Sequence, residues 1–83
     1  MTLQEKFEKA VLESKQLPKK PSNDTLLKIY SLYKQATQGD VKGEKPNGFD
    51  FINIAKYKAW EDLLGKKSEE SMQEYVDLIN SLK

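Results

Sequence analysis

Apolar residues recur at intervals of three and four along four stretches of this chain, with proline- and glycine-rich segments between them. That rhythm predicts an all-α protein. In the first stretch Leu3, Phe7, Ala10, Val11 and Ser14 share one face behind Thr2-Leu3-Gln4-Glu5, which fits a capping box. This helix is predicted to end near Leu17-Pro18. The segment Pro18-Lys19-Lys20-Pro21 reads as a stiff connector, because each proline disfavours helix in the residue before it, and Ser22 is a good N-cap for a second helix. That helix is predicted over about Ser22 to Gln38, stopped by Gly39. Residues 39–49 contain three glycines and one proline among polar side chains and read as an extended loop, long for a bundle connection. The third helix is expected from Asp50, an N-cap, to Leu64, ending at Gly65. The fourth runs from Ser68 to about Leu82, with Met72, Tyr75, Val76, Ile79 and Leu82 on one stripe.

Helix two carries more apolar surface than one packing face requires. At about 100° per residue, Ile29, Leu32 and Ala36 form one stripe, and Leu26, Leu27, Tyr30, Tyr33, Lys34 and Thr37 form another roughly 130° away. Asp24, Lys28, Ser31, Gln35 and Gln38 make up the face expected to be polar. The second stripe must meet another helix or a ligand. Two phenols and an ammonium on it suit an aromatic, phosphorylated ligand, although Tyr30 and Tyr33 with a snorkelling Lys34 would also suit the edge of a core. On helix three Lys56 falls within an apolar stripe with Ile52, Ala59, Trp60 and Leu63. A buried, unpaired ammonium is costly, so Lys56 either reaches solvent along its own stem or faces a polar cavity that an anion can enter. Trp60 reads as core, and Tyr75 as a packed aromatic of helix four.

Composition narrows the chemistry. Eighty-three residues, 37% apolar and 33% charged, make one small domain spanning 1–83 with one modest core. The formal charge of +1 supplies no general basic field for nucleic acid, so any anion site is local. All 14 basic residues are lysines, so phosphate would meet point charges rather than a guanidinium fork. Cysteine and histidine are absent, which removes disulfides, the usual metal ligands and the commonest nucleophile and base; no catalytic residue and no metal site are assigned. No apolar run approaches a signal sequence or a membrane span, which makes a cytoplasmic location the default expectation.

Tyr30-Ser31-Leu32-Tyr33-Lys34-Gln35-Ala36-Thr37-Gln38-Gly39-Asp40, followed by Lys45-Pro46-Asn47-Gly48-Phe49-Asp50-Phe51 and Ala55-Lys56-Tyr57-Lys58-Ala59-Trp60, resembles the acyl-CoA-binding protein family. Matches at Leu17, Lys20-Pro21, Leu64-Gly65-Lys66, Ser68-Glu69-Glu70 and Tyr75 extend the resemblance over nearly the whole chain. It implies a small four-helix bundle that binds medium- and long-chain acyl-CoA one to one and carries it, as a monomer, between enzymes and membranes without chemical change or a cofactor. The resemblance further implies that Tyr30, Lys34 and Lys56 hold the ribose 3′-phosphate. Tyr33 would stack on adenine, Tyr75 and Lys15 would make further nucleotide contacts, and Val11 and Leu27 would line the acyl groove. Three positions depart from the family pattern: Ile52 and Ile54 stand where lysine is frequent, and Tyr57 where tryptophan is frequent.

The main rival is a helical protein–protein interaction module that uses the second stripe to dock a partner helix. A thioester-cleaving enzyme is the weaker rival, because no nucleophile–base pairing shows at any readable spacing.

Overall fold

The computed structural model describes all residues 1–83 and contains four helices and no strand: α1 (Leu3–Ser14), α2 (Asn23–Gln38), α3 (Phe51–Glu61) and α4 (Ser68–Leu82). The expected capping box is present at α1. Thr2 accepts from the Glu5 backbone N–H at 3.1 Å, and the Glu5 carboxylate accepts in return from Thr2 N–H at 3.0 Å. Those bonds hold the Glu5 carboxyl below its ordinary pKa. Ser22 caps α2 through Thr25 N–H, and Asp50 caps α3 through Asn53 N–H. Gly39, at φ 78°, ends α2 in a conformation that side chains with a Cβ rarely adopt.

Two helices stop short of their expected ends. Helix α1 closes at Ser14, where the N–H groups of Lys15 and Gln16 turn to carbonyls three residues back ahead of Pro18. Helix α3 closes at Glu61 for a similar reason. Leu63 and Leu64 N–H also reach back only three residues, and Gly65 N–H leaves the helix to donate to the Asp40 carboxylate at 2.8 Å.

Helix α2 is the hub, packing on α4 along one side and α3 along another, while α1 packs on α4. The core consists of Phe7, Ala10, Leu32, Ala36, Tyr75, Val76 and Ile79, all from α1, α2 and α4. Aromatic rings from α1, α2 and α4 meet at one end of this core. Phe7 stacks on Tyr33 at 6.0 Å between centroids and meets Tyr75 edge-on at 5.1 Å. Helix α3 adds only Trp60 to the buried set and leans on α2 alone.

The expected polar face of α2 needs correcting. Ser31 and Gln35 are buried, Gln35 completely. The Gln35 amide Nε2 donates to the Asp40 carboxylate at 2.9 Å and to the Lys66 carbonyl at 2.8 Å, while Ser31 satisfies itself on the Lys28 carbonyl. These bonds satisfy the Gln35 Nε2 and the Ser31 hydroxyl while the buried Gln35 Oε1 has no partner, and the one to Lys66 reaches a group far away in sequence. Asp40 therefore links the end of α2 to the α3–α4 turn. Bonds from Gly65 N–H and then from Gln35 pull its carboxyl below the ordinary value.

Candidate functional site

Helices α2 and α3 pack together, and the cleft along their contact is lined by Tyr30 from one and Lys56 from the other. The alternatives left open for Lys56 resolve toward the cavity: the residue is half-buried, and its ammonium lies over the Tyr30 ring, 5.1 Å from the centroid. Lys34, one helical turn beyond Tyr30, places its own ammonium 5.8 Å from the same centroid and 5.5 Å from that of Trp60. Two cations therefore share one phenol ring. Neither is matched by a carboxylate, since the ion pairs of the chain, Lys66–Glu74 and Lys83–Glu13, lie elsewhere. Cation–π attraction at desolvated sites reaches about 2 kcal/mol, which helps hold two like charges together. It leaves their hydrogen-bond donors free for an anion.

On one side of this pair opens a polar cleft of about 220 Å³, lined by Tyr30, Pro46, Asp50, Asn53, Lys56, Tyr57 and Trp60. The loop between α2 and α3 contributes Pro46 and Asp50 to its wall. Side chains of α3 tie that loop down: Trp60 Nε1–H donates to the Gly39 carbonyl at 2.8 Å, and the Tyr57 hydroxyl to the Gly43 carbonyl at 3.3 Å. On the other side runs an apolar groove of about 450 Å³, walled by Leu26, Leu27, Phe51, Ile52 and Ala55, again with Tyr30 and Lys56. Its rim is strongly exposed; Phe51 and Ile52 remain 73% and 72% accessible, and the neighbouring Phe49 95%. Three bulky apolar side chains left in water at one end of a groove are a feature that packing does not demand.

Of the residues expected at the site, Tyr30, Lys34 and Lys56 are brought together, and Leu27 lines the adjoining groove. Tyr33 and Val11 lie apart, in a shallow depression between α1 and α2 that Phe7 and Leu12 also line. Tyr33 keeps an exposed edge there, whereas Tyr75 is only 2% accessible behind it, 6.4 Å between ring centroids. Burial raises the Tyr75 phenol above its ordinary pKa. The Ser14 hydroxyl offsets this in part, and Tyr33 adds to it. Lys15 is the exposed C-cap residue of α1.

Trp60, Asn53 and Tyr57 were not read as site residues from the sequence. For two of them the available signal was spacing: Asn53 and Trp60 stand three and four positions from Lys56, near enough on a helix to share its face, whereas Tyr57, the next residue along, gave no such signal. No three Asp, Glu, His or Cys side chains gather to hold a metal ion, and no helix is long and apolar enough to cross a membrane.

The sequence profile of the family described as acyl-CoA-binding protein matches residues 4–79. The acyl-CoA-binding protein of Saccharomyces cerevisiae is 46% identical over 76 residues, covering 92% of this chain and 87% of the yeast protein. Enoyl-CoA delta isomerase 2 of Rattus norvegicus is 47% identical over 79 residues, 95% of this chain; the chain spans only 20% of that longer protein. Among solved structures, the crystal structure of Oryza sativa acyl-CoA-binding protein 2 matches with a TM-score of 0.93 at 40% identity, covering 98% of this chain and 90% of the rice protein.

Proposed function

We infer that this chain binds and carries acyl-CoA thioesters, because it belongs to the acyl-CoA-binding protein family. Its relatives include a binding protein of nearly the same length and a much longer isomerase of which it matches a small part. The family is one of binding proteins, and our reading is of a carrier that leaves its ligand chemically unchanged.

One observation carries the finer reading: Tyr30 and Lys56 wall both the polar cleft and the apolar groove. A ligand seated against them has a charged, hydrogen-bonding environment on one side and an alkyl-lined channel on the other. Acyl-CoA has that polarity. The 3′-phosphate is held by the Lys34 and Lys56 ammoniums and the Tyr30 hydroxyl, as charge-assisted bonds. The acyl chain lies along Leu26, Leu27, Ala55, Phe51 and Ile52, gaining about 0.8 kcal/mol per methylene removed from water. Tyr33 offers its exposed ring edge to the adenine with Tyr75 behind it, Lys15 approaches from the end of α1, and Val11 supports the Tyr33 side rather than the tail.

Neither half suffices alone: a free fatty acid lacks the anchor, and free CoA lacks the apolar gain. The adjoining cleft and groove, which share Tyr30 and Lys56, support a reading of one ligand per chain. Release to acyl-CoA-using enzymes or to membranes, within the cytoplasm, completes the carrier cycle.

The test is titration calorimetry of palmitoyl-CoA beside its 3′-dephospho analogue and palmitate. Tight one-to-one binding that falls sharply without the phosphate, and further without the nucleotide, is the expected result. Equal affinity for palmitate and palmitoyl-CoA would overturn the anchoring, and no binding to any of them would return the chain to the class of helical interaction modules.

A further inference from the structure

We propose that Trp60 is the positioning residue of the anion clamp, its indole setting the Lys34 ammonium beside Tyr30 and thereby governing how strongly the chain discriminates a phosphorylated ligand from its dephospho form. The inference rests on the reading of Lys34 as a phosphate contact.

Three features place Trp60 in this role. It is the single tryptophan of the chain and is only 8% exposed, so its ring has little freedom. Its Nε1–H donates at 2.8 Å to the carbonyl of Gly39, the residue that caps α2, so a side chain of α3 is pinned to the end of the helix that carries Lys34. The Lys34 ammonium then lies 5.5 Å from the Trp60 ring and 5.8 Å from the Tyr30 ring.

A lysine side chain is a point charge on a flexible four-carbon stem, and it loses rotamer entropy whenever a ligand fixes it. Indole is the strongest aromatic partner for a cation. An ammonium already resting between indole and phenol faces less ordering when phosphate arrives, the advantage of preorganisation. No carboxylate performs this task for Lys34, which keeps its positive charge unneutralised. Trp60 touches the ligand only through the cleft it lines; its main action is on Lys34.

A double-mutant cycle tests this. Trp60→Leu, Lys34→Met and the double variant of the full chain are each titrated with palmitoyl-CoA and with 3′-dephospho-palmitoyl-CoA, after thermal melts confirm that they fold. The readout is the affinity ratio of the two ligands. Trp60→Leu is expected to lower that ratio about tenfold, within the range of a desolvated cation–π contact, and the double variant to match Lys34→Met alone. A purely structural Trp60 would weaken both ligands alike and leave the ratio unchanged, which would overturn the proposal.

Should Trp60→Leu fail to fold, Trp60→Phe serves: it keeps a ring face, loses the bond to Gly39, and is expected to show a smaller fall in the same ratio. An unchanged ratio there would again count against the role. Equal binding of both ligands by the unmodified chain would remove the phosphate clamp itself, a failure visible before any Trp60 variant is made.

Discussion

Lys34 and Lys56 come from different helices to the same ring, their ammonium groups 5.8 Å and 5.1 Å from the centroid of Tyr30. Each has an aromatic face for company and no acidic partner. Like charges brought together in this way weaken the empty protein and strengthen a complex with an anion, which is how a binding site differs from a structural ion pair.

Replacing either lysine should therefore separate affinity from stability. Lys34→Ala and Lys56→Ala are each expected to weaken palmitoyl-CoA binding by about 2 kcal/mol, roughly thirtyfold. Thermal stability should move by no more than about 1 kcal/mol, the scale of a lost cation–π contact offset by relieved repulsion. Calorimetry and thermal melts on the same samples check both. Variants that unfold while keeping affinity in proportion to the folded fraction would make the lysines structural.

How far the chain could be read in advance depended on where each residue's partners lay. Phe7, Tyr75 and Ile79 were legible from periodicity, because a core face repeats within its own helix. Gln35 was not. Its burial depends on Asp40 and on the Lys66 carbonyl, and the latter lies 31 residues away. Nothing in the pattern of α2 announces that its polar face is capped by a turn from another part of the chain. Lys56 was legible as an anomaly, but only the angle between α2 and α3 could say whether it met solvent or a cleft. Trp60 was legible as core, and it is buried; its place in the lining of the cleft depends on how α3 meets the loop before it, which periodicity does not show. The tightened end of α3 escaped because Gly65 gives its N–H to Asp40, a tertiary contact.

Asp40 adds to the acid sensitivity of the fold. Its carboxyl is held below the ordinary value by the Gly65 N–H and then by Gln35, so the folded state binds a proton less readily than the unfolded chain. The stability it contributes is complete above the unfolded carboxylate range near pH 4. It fades as pH falls through the lower folded value. Glu5 acts in the same direction through Thr2. Asp40→Asn is expected to flatten the acid side of a melting-temperature profile below about pH 4 while lowering stability at neutral pH. An unchanged acid limb would mean that Asp40 does not fasten the α3–α4 turn in solution.

The two isoleucines that stand where the family favours lysine should differ in effect. Ile52 lines the apolar groove at its exposed rim, whereas Ile54 is absent from the lining and half-buried. Ile52→Lys is expected to cost about 1 kcal/mol of palmitoyl-CoA affinity, the scale of partly losing one apolar contact, and almost nothing with butanoyl-CoA. Ile54→Lys should leave both affinities nearly unchanged. A chain-length series on the two variants decides the point: equal losses for short and long tails at Ile52 would place the tail elsewhere.

The weak attachment of α3 has a dynamic consequence. It packs on α2 alone and shares one buried side chain, Trp60, while the core is closed by α1, α2 and α4. Helices with few buried contacts open at lower free energy than the global unfolding. Amides of α3 should therefore exchange with solvent sooner than those of α2 and α4. A ligand seated between α2 and α3 binds the closed state preferentially, and at a hundredfold excess over its dissociation constant it adds about 2.7 kcal/mol to that state. Hydrogen exchange with palmitoyl-CoA should then slow the α3 amides from Ala55 to Trp60 more than those of α1. If α3 instead exchanges only with global unfolding, in step with α4, it belongs to the same cooperative unit, and the cleft between α2 and α3 is rigid rather than one that closes on its ligand.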